Sequence, residues 1–182
     1  MKVFIAVTLD KDIKSHLKNM ADKLSKHMQS ARYTHFSNYH ITLVFIGETD
    51  ISGYKQIIKA VKDTVVGLAD FKLKTSGTGS FKKGSKHIIY CEIKKSKNLN
   101  DIYLSLLKNL MYCGIDVREG KFTPHITLAR EAVPIDENWE VKTDDIEIQV
   151  NSVSVMESMR INGKLTYIPR FTAALGDKNN DK

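Results

Sequence analysis

The sequence predicts an α+β fold built as a duplicated unit around one cleft. The tetrapeptide His-Ile-Thr-Leu occurs at residues 40–43 and again at 125–128. Both copies lie among apolar and β-branched residues, which is typical of strands. Each copy also follows a strand, a helix and a loop, with the histidine 37 positions after the strand start (40 − 3 and 125 − 88). We therefore infer an internal duplication with pseudo-two-fold symmetry that brings both histidine strands to one cleft.

The first unit begins with an apolar run over 3–9, which predicts a buried strand. Residues 11–28 carry apolar side chains at steps of three and four, which predicts an amphipathic helix. Asp10 is placed to cap that helix, because its carboxylate can accept hydrogen bonds from the first free backbone N–H groups. Residues 29–38 are predicted to be a loop leading into the first histidine strand.

The segment between the two units contains one more helix and one short strand. The helix is predicted over 51–66 from its apolar periodicity, with Gly67 at its end. The strand is predicted over 70–75, where apolar residues alternate with lysines. Residues 76–80 and 82–86 are rich in Gly, Ser and Lys and are predicted to be loops.

The second unit repeats this order, and two further strands follow it. A strand is predicted over 87–93 and a helix over 98–113, before the second histidine strand. Alternating segments at 146–157 and 165–172 are joined near Asn162-Gly163, a dipeptide typical of tight hairpins.

Length and composition are those of a globular protein with a basic surface. The chain has 182 residues, 42% of them hydrophobic and 27% charged. We expect a single domain of two pseudo-symmetric lobes over 1–175 and a disordered tail over 176–182. A net charge of +7 weakly favours polyanionic partners such as RNA, nucleotides or phosphate esters.

Several classes of protein do not fit the sequence. Cys91 and Cys113 belong to no CxxC pair and no Cys/His metal spacing, so we expect reduced thiols, no metal site and no cofactor. The apolar run at the N-terminus is too short for a signal peptide, and no stretch is long enough to span a membrane. A cytoplasmic location is therefore expected. We also expect a monomer, although no feature of the sequence sets the oligomeric state.

The repeated motif predicts acid–base chemistry on an anion. Side chains alternate along a strand, so His40 and Thr42 share one face, as do His125 and Thr127. With an unperturbed pKa near 6.5, one imidazole can be neutral and the other protonated at neutral pH. The neutral ring can take a proton from a nucleophile while the charged ring gives one to a leaving oxygen, which suits phosphodiester cleavage without a metal. The threonine hydroxyls can donate to non-bridging phosphate oxygens.

Basic residues outside the motif extend this prediction. Arg130 lies five positions after His125, an odd offset that places it on the other strand face unless the strand ends or bulges first. Glu131 and Pro134 favour an ending. Lys82, Lys83 and Lys86 either contact RNA phosphates or form a merely solvated loop. The remaining histidines are predicted to have no chemical role: His16, His27, His35 and His87.

The motifs resemble the 2H phosphoesterase superfamily, and within it the RNA 2′,3′-cyclic phosphodiesterases, also called 2′-5′ RNA ligases. The resemblance covers nearly the whole chain. It is carried by the opening strand and helix, the two histidine segments and the closing hairpin: Val3–Val7, Asn38–Glu48, Phe122–Arg130 and Glu157–Tyr167.

This resemblance implies a bilobal, pseudo-two-fold α+β fold in which antiparallel sheets line a central basic cleft and helices lie outside. It also implies hydrolysis of a 2′,3′-cyclic phosphate to a 2′-phosphate, with RNA as partner. His40 and His125 would be catalytic, while Thr42, Thr127 and Arg130 would bind the substrate. His125 is favoured as the base for water and His40 as the acid for the 3′ oxygen. Two segments depart from the family pattern, Arg32-Tyr33-Thr34 and residues 82–86, and both lie where the substrate would enter.

Other functions stay open at this point. The chain could cleave 2′-5′-linked oligonucleotides or small cyclic nucleotides, or it could bind RNA ends with minor ligase activity. Intact histidines in both motifs argue against a pure binding protein. Residues 76–80 contain two glycines but lack the Lys-Ser/Thr ending of a P-loop. The sequence thus has no nucleotide-binding motif, which argues against an ATP-driven ligase.

Overall fold

A computed structural model describes residues 1–117, 120–141 and 145–176. The tail predicted to be disordered lies outside these residues, apart from Gly176. Three α-helices, nine strands and a short 3-10 helix (Phe36–Asn38) are described. The helices and strands have these bounds: β1 Lys2–Thr8, α1 Lys11–Ser25, β2 Met28–Tyr33, β3 His40–Glu48, α2 Ile51–Val65, β4 Phe71–Lys83, β5 Lys86–Ile93, α3 Lys97–Tyr112, β6 His125–Pro134, β7 Glu147–Val150, β8 Ser152–Ile161 and β9 Lys164–Ala174.

The strands form two antiparallel sheets. The first sheet has the order β3-β1-β8-β9 and the second has the order β2-β6-β5-β4-β7. Every strand pair within them is antiparallel. The histidine strands β3 and β6 belong to different sheets and approach each other. The predicted α+β class, with antiparallel sheets lining a cleft, is confirmed.

The duplication is visible in the strand pairing. In the first sheet His40 pairs with Thr8 and Thr42 with Ala6, after which the register shifts by one residue. In the second sheet His125 pairs with Glu92 and the register shifts just after Thr127 in the same way. In each strand the additional residue is the leucine of the motif. The two motifs are therefore held by equivalent pairs of strands.

The helices tie the two sheets together. Helix α1 of the first unit packs on β6 of the second, and α3 of the second packs on β3 of the first. Asp10, Asp50 and Ser96 cap the three helices by accepting a backbone N–H bond from the first turn. The apolar faces of helices and sheets merge into one large core. None of the helices described is long and apolar enough to cross a membrane.

Some predicted boundaries were wrong. Strand β4 runs through the segments predicted as loops and turns only at Gly84-Ser85. It pairs with β7 over Phe71–Lys74 and with β5 from Thr75 to Lys83, with an irregularity between Thr75 and Thr78, so its polar residues occupy a true strand. Strand β2 replaces part of the loop predicted over 29–38. It is an edge strand with mostly exposed side chains, so it lacks the apolar alternation that reveals a strand.

The closing hairpin is confirmed. Strands β8 and β9 pair along their length and turn at Asn162 and Gly163. Both turn residues have positive φ, 49° and 77°, the conformation that favours Asn-Gly in a two-residue hairpin turn.

Candidate active site

A cleft of about 750 Å³ lies between the two histidine strands. All five residues singled out from the sequence line it: His40, Thr42, His125, Thr127 and Arg130. The alternation along β3 and β6 turns the two histidines and the two threonines into the cleft, while Ile41, Leu43, Ile126 and Leu128 are buried in the core. The structure therefore brings together the two halves of the repeated motif.

Both imidazoles are oriented by the same local hydrogen bond. Nδ1 of His40 donates to the carbonyl oxygen of Asn38 at 2.6 Å, and Nδ1 of His125 donates to that of Thr123 at 2.7 Å. A carbonyl oxygen only accepts, so the proton of each neutral ring sits on Nδ1. Nε2 then has a free lone pair in each ring, and in His40 it accepts from the Thr42 hydroxyl at 2.9 Å. Each Nε2 is thus prepared to exchange a proton.

Arg130 reaches the cleft through a bulge. We expected β6 to end before this residue, but it continues to Pro134. The register shift after Thr127 inserts Leu128 as an additional residue, and the odd offset of Arg130 therefore returns it to the face of His125. The equivalent bulge in β3 turns Phe45 to the face of that strand on which His40 lies. The Phe45 side chain lines the cleft and is 70% exposed.

Aromatic rings that the motif did not reveal flank His40. Phe4 of β1 lies 4.9 Å and Tyr167 of β9 lies 5.2 Å from the imidazole, measured between ring centroids. Tyr167 comes from the closing hairpin and is held there by Asn38. The buried Asn38 side chain donates to the carbonyl of Leu165 at 2.9 Å and accepts from the backbone N–H of Tyr167 at 3.2 Å. Asn38 therefore orients His40 through its backbone and places Tyr167 through its side chain.

His125 is flanked by aromatic rings from other positions. The Phe81 and Tyr90 rings each lie 5.1 Å from the imidazole between ring centroids, and Phe81, which is 37% exposed, lines the cleft. Gly79 makes room for Tyr90, since a Cβ there would lie 2.8 Å from the tyrosine ring. The short polar segment predicted as a loop therefore supports the second histidine.

Both imidazoles favour the neutral form in the unliganded protein. Burial lowers the pKa of His40 to about 4, and the nearby charges of Arg130, His125 and Lys14 act in the same direction. The hydrogen bond to Asn38 opposes that shift only in part. Burial, followed by Arg130, also lowers the pKa of His125. An anion between the rings would offset these effects by stabilising the protonated forms.

Arg32 is a further cation at the cleft that the motif did not single out. It projects from β2, pairs in register with Arg130, and binds Glu131 at 3.1 Å. Within the described residues, no group of three or more His, Cys, Asp or Glu side chains is arranged to hold a metal ion.

Known proteins are similar to this chain over most of its length. The profile of the 2′-5′ RNA ligase superfamily matches residues 13–161. An RNA 2′,3′-cyclic phosphodiesterase of Thermotoga maritima is 30% identical over 156 residues, which cover 85% of this chain and 82% of the relative. A protein of the same name from Methanothermobacter thermautotrophicus is 24% identical over 169 residues, 91% of each chain.

Solved structures share the fold. E. coli LigT complexed with 3′-AMP has a TM-score of 0.81 at 19% identity, covering 97% of this chain and 98% of that one. TT0787 of Thermus thermophilus has a TM-score of 0.80 at 18% identity, covering 98% and 100%. The arrangement of two facing sheets is thus common to these proteins.

Proposed function

The chain belongs to the 2′-5′ RNA ligase superfamily, and from that premise we propose that it hydrolyses RNA 2′,3′-cyclic phosphate ends to 2′-phosphates. The proposal depends above all on one observation: two imidazoles, each with its proton held on Nδ1 by a carbonyl, line one cleft beside an arginine. Relatives that carry the phosphodiesterase name support the substrate.

In the proposed mechanism the two rings act on opposite sides of the phosphorus. Nε2 of His125 takes a proton from water as the water oxygen attacks. Nε2 of His40 gives a proton to the 3′ oxygen as the bond from phosphorus to that oxygen breaks. The phosphate stays on the 2′ oxygen and the 3′ hydroxyl is restored. The two rings have then exchanged protonation states, and solvent resets them.

The cleft supplies stabilisation where charge develops. Non-bridging oxygens gain negative charge as water adds, and Arg130, Thr42 and Thr127 line the cleft where they can donate to those oxygens. Once Nε2 of His40 is protonated it no longer accepts from Thr42, so that hydroxyl is free to donate to the phosphate. The low pKa of His40 in the unliganded protein opposes an acid role. We therefore propose that His40 becomes protonated when the phosphate anion binds, because an opposite charge near a buried imidazole raises its pKa. No metal takes part.

The proposal is tested with an oligoribonucleotide that ends in a 2′,3′-cyclic phosphate, incubated with the protein in EDTA. We expect conversion to a 2′-phosphate, identified by the phosphorus NMR of the isolated product. A 3′-phosphate product, or activity that EDTA abolishes and a divalent ion restores, would contradict the mechanism. The His40→Ala/His125→Ala protein is the control for contaminating nucleases.

A further inference from the structure

A second, basic groove of about 420 Å³ opens from the cleft, and we call it the side groove. It shares Arg32, Ile88 and Arg130 with the cleft, so the two spaces adjoin along these residues. The residues that line it belong to neighbouring strands of the second sheet: Arg32, Lys83, Lys86, His87, Ile88, Arg130 and Glu131. The His87 imidazole is hydrogen-bonded to Ser80 at 3.1 Å, on the strand face that Lys82 shares.

The side groove is lined by four Lys and Arg side chains and by one carboxylate, that of Glu131. Glu131 is bound to Arg32 at 3.1 Å, and the charge of Lys86 also contributes to lowering its pKa. In the part of the chain that the structure describes, neither Lys83 nor Lys86 lies within ion-pair distance of a carboxylate. The hairpin turn at Gly84-Ser85 holds these two lysines opposite each other in register. Two positive charges held side by side in a groove favour an anion.

The chemistry of the proposed substrate identifies that anion. In a nucleoside 2′,3′-cyclic phosphate the 2′ and 3′ oxygens are both occupied, so the molecule can extend only through its base and its 5′ oxygen. A cationic groove that leads from the reacting phosphate is complementary to a phosphate on the 5′ oxygen. On the basis of the proposed function, we propose that the side groove binds this second phosphate through Lys83 and Lys86, with Arg32 at the junction.

Lys82 offers an internal control. It follows Phe81 and precedes Lys83 in the same strand, and it is also exposed, but it does not line the side groove. Alternation along β4 directs its side chain to the opposite face. A change at Lys82 removes the same charge from the same hairpin, so a difference between Lys82 and Lys83 measures position and not net charge.

The test measures binding, which makes it independent of turnover. A nucleoside 2′,5′-bisphosphate and the corresponding 2′-monophosphate are titrated calorimetrically into the intact protein. We expect the bisphosphate to bind on the order of tenfold more tightly, with a steeper dependence on salt, since charge-assisted hydrogen bonds form to the second phosphate. The Lys83→Ala/Lys86→Ala protein should lose this preference, and Lys82→Ala should keep it. Lys83→Arg, which retains the charge, should keep most of it.

Equal affinity of the wild-type protein for both ligands, or the same loss in Lys82→Ala, would overturn the side-groove proposal. If the protein prefers the bisphosphate but hydrolyses no cyclic phosphate, the proposed function is wrong and the side-groove proposal is retained. Turnover of three substrates then identifies the source of the phosphate. The reference is kcat/KM for the cyclic nucleotide with a free 5′ hydroxyl. A higher kcat/KM for the 5′-phosphorylated cyclic nucleotide alone indicates that the groove binds a terminal phosphate. A higher kcat/KM for a dinucleotide indicates that it binds an internal RNA linkage.

Discussion

The His40 half and the His125 half of the cleft share their backbone and differ in their walls. In both, the imidazole donates to the carbonyl two residues earlier and the motif leucine forms a bulge. After the bulge, one half presents Phe45 and the other presents Arg130. His40 is also hydrogen-bonded to Thr42, whereas no hydrogen bond to the Thr127 hydroxyl is seen among the described residues.

The shared backbone positions the two imidazoles, and the different side chains beside them determine which part of a substrate each half can contact. The repeated strand and its bulge set where the two imidazoles and two following side chains lie. We propose that the side chain after the bulge gives each half a different role: the guanidinium of Arg130 can bind a phosphate, and the exposed ring of Phe45 can stack on a base. A duplicated frame can thus act asymmetrically on one substrate.

The largest expected effect comes from removing either imidazole. His40→Ala and His125→Ala should each lower kcat by about 10² to 10⁴, because each removes a proton-transfer role. The double variant should lose less than the product of the two single losses, since the rings act as a unit. Single-turnover rates on a cyclic-phosphate oligonucleotide measure this. Near-wild-type activity in either single variant would show that the two halves do not share the reaction.

Substitutions of the two residues that follow the bulges, Arg130 and Phe45, should affect different kinetic parameters. Arg130→Met removes a charge that acts on the reacting phosphate, and it should lower kcat/KM by about 10 to 100-fold for every substrate. Phe45→Leu should raise KM by about tenfold or less with little change in kcat, because stacking is a binding interaction. Steady-state kinetics separate the two parameters. Equal effects of both variants on kcat would contradict this division of roles.

The threonines should matter less than the histidines. Thr42→Val and Thr127→Val preserve shape and remove one hydroxyl donor each, so we expect losses in kcat on the order of tenfold. Thermal unfolding of both variants serves as the control for folding. An unchanged kcat in both would remove the hydroxyls from the mechanism.

The pH dependence reflects the burial of both rings. The pKa values of His40 and His125 both lie below 6.5 in the unliganded protein, so the form with one ring protonated is most populated below that pH. The profile of kcat/KM, which reports the free enzyme, should therefore peak below pH 6.5 and fall toward neutrality. The basic limb of kcat should lie at higher pH, because the bound anion raises the pKa of the acid. A kcat/KM maximum at or above pH 7.5 would contradict this.

The smallest expected effect comes from Lys14, which influences only one of the two rings. Its positive charge contributes to lowering the pKa of His40 and has no counterpart among the causes acting on His125. Lys14→Met should raise the pKa of His40 and leave that of His125 unchanged. NMR titration of the imidazole protons checks this, and equal shifts in both rings would show that the electrostatic difference between the halves was misassigned.

The sequence predicted the two histidine strands because their residues repeat at equal spacing and alternate in polarity. Arg130 could be nominated, yet its route to the cleft depends on a bulge, which leaves no strong signal in one strand read alone. The bond from Asn38 to Tyr167 joins residues 129 positions apart, and the flanking rings Phe4, Phe81 and Tyr90 come from three other strands. Such contacts are set by sheet order, which local periodicity does not encode.

The central claim is that the two equivalent histidine strands perform opposite halves of one reaction. It is tested most directly with a cyclic substrate whose bridging 3′ oxygen is replaced by sulfur, since a thiolate is a good leaving group that needs no protonation by an acid. We predict that this substrate restores most of the rate lost in His40→Ala and little of the rate lost in His125→Ala. Equal rescue of both variants, or rescue of His125→Ala alone, would contradict the assignment.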